Sequence, residues 1–208
     1  ETLDSILIQT HPVLEVIVVD DGSTDTTADV VLSYNGKIKY IYQDNSGQPT
    51  ARNHGIRSSR GEYIAFVDAD DYWHFQKIEK QIDLIRSRGA AWVICDGKWV
   101  DENREKVALP VFPMQEGDVL EKLLMGNFII SATPMVRRDV FDYVGYFNED
   151  PKARIGEDWD MWLRIASRFP LAVVNDKLAY VRIHQSSMMS TITVKNKVIG
   201  LQSVVERA

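Results

Sequence analysis

The chain has 208 residues, with 24 Lys and Arg against 30 Asp and Glu, a formal charge of −6. At 45% hydrophobic and 26% charged, it has the composition of an ordinary globular domain, which excludes the disordered and fibrous classes. The acidic balance excludes a surface built to grip nucleic acid, which needs clustered Lys and Arg, and no apolar run reaches the roughly 18 residues of a membrane span.

In chain order, Glu1 to Leu7 reads as the back end of a helix with no strand before it, so the sequence reads as beginning inside a domain. Glu15 to Asp20 is a short β-branched run, expected as a strand buried on both faces. Asp21-Gly22-Ser23-Thr24-Asp25 follows as a turn, with Ser23 or Thr24 placed to cap a helix through Ser33. Lys37 to Tyr42 is a second strand, and Pro49 opens a helix expected to end at a left-handed Gly61. Tyr63 to Val67 is a third buried strand running into Asp68-Ala69-Asp70-Asp71. Ile78, Ile82 and Ile85 stand at helical spacing before Gly89, and Trp92 to Cys95 is a fourth strand. Strand and helix alternating over short connections predict crossover units, an α/β fold and a mostly parallel sheet flanked by helices.

The second half is less regular. Short helices are expected at Asp118–Met125 and Arg138–Val144, and an amphipathic helix at Glu157–Ser167. Strands are expected at Ser131–Arg137, Leu171–Val174 and Ala179–Ile183, and a helix from Thr193. We read residues 1–208 as one domain, with a nucleotide-type half (1–100) and a smaller acceptor-type half (101–208). Cys95, the one cysteine, excludes an internal disulfide and fits a reducing compartment. No basic stretch leads into an apolar core at the start, so no signal peptide is visible, and a cytoplasmic location is expected.

In parallel sheets, ligands bind beyond the carboxyl ends of the strands, and here two strand ends are acidic. Asp68 and Asp70 could turn toward one hard cation whose shell a ligand's oxygens complete; the alternative is an acidic turn capping the next helix. Asp20 and Asp21 could accept from a base N–H and ribose hydroxyls, or could simply start a turn. Glu157 and Asp158 open a helix, where the dipole favours acids, yet a carboxylate is also what deprotonates an attacking sugar hydroxyl. Spacing alone does not choose between these.

Taken together, the ordered set resembles the family 2 inverting glycosyltransferases. It comprises EVIVVDDGSTD from Glu15, NHGIR from Asn53, GEYIAFVDADD from Gly61, VGYFNE from Val144, Glu157-Asp158, and YVRIH ending at His184. The resemblance covers roughly Glu1 to Ser190. It implies the GT-A fold, a nucleotide-diphosphate sugar donor (UDP by preference), a divalent metal (Mn²⁺ or Mg²⁺), and a saccharide or lipid-linked glycan acceptor met at the inner face of a membrane. By the same resemblance, Asp20 and Asp21 contact the nucleoside, Arg52 lies beside the base, and Asp68 approaches the ribose. Asp70 takes the metal, with His184 helping to hold the metal or the diphosphate. Asp158 is the general base, and Glu157 lies on the acceptor side. For His184 a structural hydrogen bond at a strand–loop junction is the competing reading. The family's first strand has no counterpart in the sequence. Two rivals remain: an aspartyl phosphotransferase, which lacks its expected Ser or Thr after Asp70-Asp71, and a non-catalytic sugar- or nucleotide-binding module of the same fold.

Overall fold

The computed structural model describes residues 1–108, 113–151, 156–184 and 204. Its elements in order are α1 (Thr2–Leu7), β1 (Ile17–Asp21), α2 (Thr27–Leu32), β2 (Lys39–Gln43), α3 (Gln48–Ser58), β3 (Tyr63–Ala65), β4 (Tyr72–Trp73), α4 (Lys77–Arg88), β5 (Trp92–Val100), α5 (Leu120–Met125), β6 (Met135–Arg137), α6 (Val140–Val144), α7 (Glu157–Ala166) and β7 (Leu171–Arg182). The expected tail helix, apart from Val204, lies outside the described residues.

The principal sheet has the order β3-β6-β5-β7-β4. β5 and β7 pair in parallel, while β6 pairs antiparallel with both β3 and β5, so β3, β5 and β7 run in one direction around an inserted reverse strand. The sheet is therefore mixed rather than mostly parallel. β5 alternates strictly: Trp92 and Ile94 pack on one face with Leu123, Val136, Phe141, Met161, Trp162 and Ile165. Val93 and Cys95 pack on the other with Trp73, Ile78, Ile82 and Ile85. Helices thus cover both faces. α4 lays its Ile stripe on the second face and stops at Gly89, whose φ of 62° is left-handed. Each of those isoleucines, once buried, stabilises the fold by about 1.5–3 kcal/mol.

Several boundaries differ from expectation for local reasons. α3 stops at Ser58, because Ser59 turns extended, and Gly61 plays no part in the cap. α2 starts at Thr27 with Thr26 as its N-cap position, and the Asp25 carboxylate before it accepts both the Thr27 N–H (2.9 Å) and its hydroxyl (2.6 Å), so neither Ser23 nor Thr24 caps the helix. The two late strands are one, β7, which carries the exposed Asn175, Asp176 and Lys177 through a bulge opposite Asp96.

β1 and β2 form a separate parallel pair. No ladder joins β1 to β3 among the described residues; both strands line a cleft of about 1730 Å³ between the sheets. Ile17, Val18 and Val19 are consequently half-buried, as is all of β3, rather than enclosed on both faces. No described helix is long and apolar enough to cross a membrane.

Candidate active site

The turn after β1 is built around Gly22. Its φ is +82°, and a Cβ there would lie 2.8 Å from the Asn45 backbone nitrogen, so only glycine fits. The two adjacent acids then part company. Asp20 is 4% exposed and points inward, accepting from the Ser23 N–H (2.8 Å) and the Tyr40 hydroxyl (2.6 Å). Those donors, Tyr40 first, hold its carboxyl below the usual range, and the Tyr40 phenol is pushed up to about 12. Asp20 is not among the residues lining the cleft; one oxygen braces the turn at Ser23 and the other ties it to Tyr40 in β2. Asp21 does line the cleft. It accepts from Gln43 Nε2 and the N–H groups of Ser46 and Gly47, each at 2.8 Å, and so fixes the loop that launches α3.

α3 delivers Arg52 to the centre of the cleft. One guanidinium nitrogen lies 3.0 Å from Asp68 Oδ1 and another 2.8 Å from Glu157 Oε1. The group sits 5.4 Å from the Phe147 ring centre. Arg52 is thereby the cation that ties the loop after β3 to the start of α7. Asp68 is further held by Gln48 Nε2 (2.9 Å) on Oδ1 and by Ser131 Oγ (3.1 Å) on Oδ2. Two residues on, Asp70 Oδ2 meets His184 Nε2 at 2.9 Å. Asp71 is 2% exposed and accepts the Arg182 N–H at 3.0 Å. Burial pushes its carboxyl up to about 7.

Across the cleft, Gly156 at φ +88° opens α7. Glu157 is 4% exposed. Asp158 is half-buried on the cleft wall. Its Oδ1 accepts the Trp159 N–H (2.7 Å), and its Oδ2 accepts Asn127 Nδ2 (3.3 Å). Burial pushes both carboxyls up, most of all through lost hydration, while the Arg52 charge pulls both down. Asp158 is therefore a stronger base than a free carboxylate.

The structure thus brings Asp21, Arg52, Asp68, Asp70, Glu157 and Asp158 to one cleft, with His184 against Asp70. Among the described residues no three His, Cys, Asp or Glu converge into a metal cage. An Asp–His pair still fits a hard divalent ion of the kind that takes one or two protein ligands and completes its shell with phosphate oxygens and water. Sequence reasoning missed Gln48, Ser131 and Asn127, the neutral residues that orient Asp68 and Asp158. Amides and hydroxyls in loops carry no periodicity, so no signal in the sequence singles them out. Cys95 is buried, as expected of a small hydrophobe, and Trp162 stacks on Trp92 at 6.1 Å in the core.

Comparison with known proteins gives a consistent picture. Residues 1–145 match the family model described as glycosyl transferase family 2. An uncharacterised glycosyltransferase of Rickettsia typhi is 30% identical over 207 residues, covering 92% of this chain and 61% of that protein. TuaG of Bacillus subtilis, a glycosyltransferase whose given name assigns it to teichuronic acid biosynthesis, is 29% identical over 198 residues, covering 91% and 75%. The crystal structure of S. aureus TarS with UDP superposes with a TM-score of 0.72 at 25% identity, over 89% of this chain and 56% of that one. TarS with UDP-GlcNAc gives 0.78 at 23% identity over 98% and 60%, a likeness of fold. The chain spans 61% of the R. typhi relative's length and 26% of one from Rickettsia bellii.

Proposed function

Since the chain belongs to glycosyl transferase family 2 and has the GT-A fold, we propose that it transfers a sugar, with inversion, from a nucleotide-diphosphate donor to a hydroxyl of a saccharide or lipid-linked glycan. The observation that carries this reading is the placement of Asp158. It is a half-buried carboxylate of raised basicity on the wall of the cleft, next in sequence to Glu157, which Arg52 links to Asp68. UDP is the donor nucleotide we favour, supported by the UDP complex of TarS. We favour a polysaccharide acceptor, supported by the teichuronic acid biosynthesis in the name of TuaG, and place the encounter at the cytoplasmic face of a membrane as part of the same proposal.

On this reading the nucleoside lies against the turn fixed by Asp21, with Asp68 toward the ribose. Asp70 and His184 would hold a divalent ion, Mn²⁺ or Mg²⁺, whose charge offsets that of the departing diphosphate. Asp158 accepts the acceptor hydroxyl's proton as its oxygen forms a bond to the anomeric carbon. The carbon–oxygen bond to the diphosphate breaks in the same displacement, and its electron pair leaves with the nucleotide. Attack opposite the leaving group inverts the anomeric centre. We assign the base to Asp158 rather than Glu157, because one oxygen of the Glu157 carboxylate is engaged by Arg52.

The test is Asp158→Asn, which keeps size and removes basicity. Turnover should fall by about 10²–10⁴ with UDP affinity unchanged, and the product should carry the anomeric configuration opposite to the donor's. Because the Asp158 carboxyl is raised, the acid limb of turnover should lie above the ordinary carboxylate range, with activity lost as pH falls through it. Excess EDTA should abolish turnover as well. Normal turnover by Asp158→Asn would remove the base, a retained configuration would remove the mechanism, and full activity in EDTA would remove the metal.

A further inference from the structure

One loop touches both carboxylates that flank the reaction. It runs from Gly126 to Thr133, between α5 and β6. Ser131 donates to Asp68 at 3.1 Å, and Asn127 donates to Asp158 at 3.3 Å. Both residues line the cleft.

The orientation of the Asn127 amide follows from its neighbours. The Ile129 N–H donates to Asn127 Oδ1 at 3.0 Å, so that end is the acceptor, and the NH₂ end must face Asp158. The loop behind it is held by buried polar bonds. Trp73 Nε1 donates to the Ala132 carbonyl (2.9 Å) and Gln81 Nε2 to the Thr133 carbonyl (2.8 Å), fastening the loop to β4 and α4. The Ile130 side chain packs close over Gly97, its Cδ1 2.9 Å from where a Cβ would stand, so the loop sits directly against β5. A donor carried on so fixed a support has little freedom to lose when it holds a partner.

We propose that Asn127 is a positioning residue for the transfer: it holds the Asp158 carboxylate in the rotamer that faces the acceptor hydroxyl. The inference rests on Asp158 being the base. With Oδ1 taken by the Trp159 N–H, rotation of the carboxylate is restrained at both oxygens. Among the described residues Oδ2 receives one long bond, from the side chain of Asn127, and a carboxylate oxygen has lone-pair capacity for a substrate O–H besides. The charged groups facing Asp158 are Arg52 from α3, Asp68 from the loop after β3, and Glu157 from α7 itself. Asn127 is the neutral donor among them.

Asn127→Asp is the discriminating variant, since it keeps the oxygen that accepts from Ile129 and replaces the NH₂ with a second acceptor. Release of UDP from UDP-GlcNAc with Mn²⁺ is followed against pH, alongside UDP affinity and the Asp158 titration by carboxyl-carbon NMR. The expected result is a turnover loss of at least about tenfold at pH 7, UDP affinity within twofold, and an Asp158 titration displaced to higher pH. Asn127→Ala should lose turnover with a smaller displacement. Asp158→Asn run beside them separates the two levels. If Asp158→Asn is inactive while both Asn127 variants retain turnover and leave the Asp158 titration in place, positioning by Asn127 is overturned and the base stands. If Asp158→Asn turns over normally, the base assignment falls and this inference falls with it.

Discussion

Val16–Val19 and Trp92–Cys95 are similar apolar runs of four residues, yet they end in different environments. In β5, Trp92, Val93, Ile94 and Cys95 are at most 1% exposed, flanked by β6 and β7 and covered by helices on both faces. In β1, Ile17, Val18 and Val19 are half-buried, paired among the described residues with β2 alone, and line the cleft. A strand's own residues therefore specify that it is a strand, while its neighbours decide how deeply it is buried. The chemistry divides along the same line. The proposed base stands on α7, rooted in the core by Met161, Trp162 and Ile165, whereas the turn at Asp21 is held by side-chain and loop hydrogen bonds on a two-stranded ribbon.

Three substitutions probe that difference. Trp162→Ala removes a fully buried ring that stacks on Trp92, and should cost about 3–5 kcal/mol in chemical denaturation. A cost near 1 kcal/mol would mean that α7 is not rooted as described. Arg52→Met spans both regions. It leaves Glu157 buried without its cation, and about 3 kcal/mol should be lost at pH 7. Losing that charge raises the folded-state pKa of Glu157 and Asp158 further, so the deficit should shrink as pH falls and the carboxyls protonate. A deficit that does not change with pH would show that packing, not charge, is what Arg52 contributes. Val18→Ala, in the open ribbon, should cost only about 1 kcal/mol, because much of the removed surface already meets solvent. A loss as large as that of Trp162→Ala would erase the contrast.

Much of this was legible in the residues, for identifiable reasons. The Ile78, Ile82 and Ile85 stripe with its Gly89 stop, and the β-branched runs, follow from local periodicity. The family motifs brought Asp21, Arg52, Asp68 and Asp158 into one cleft. The reversed β6 between β3 and β5 was not legible, because a short strand carries no mark of its direction. Nor was the single course of β7, since Asn175-Asp176-Lys177 imitates a turn until the bulge opposite Asp96 absorbs it. Asp20 and Asp21 are chemically identical and adjacent. Only strand alternation, which sends successive side chains to opposite faces, makes one of them a buried brace and the other a cleft residue.

The acids lining the cleft have a kinetic consequence. Asp21, Asp25, Asp68, Asp70, Asp96 and Asp158 all line it, against Arg52, Arg86 and Arg182. Such a rim produces a negative potential that draws cations in and slows the diffusional approach of a bare polyanion. Screening shortens that field to about 10 Å at 0.1 M salt. A nucleotide diphosphate stripped of counter-ions should therefore enter faster as ionic strength rises, the reverse of the usual behaviour of a site that recruits anions through a basic surface.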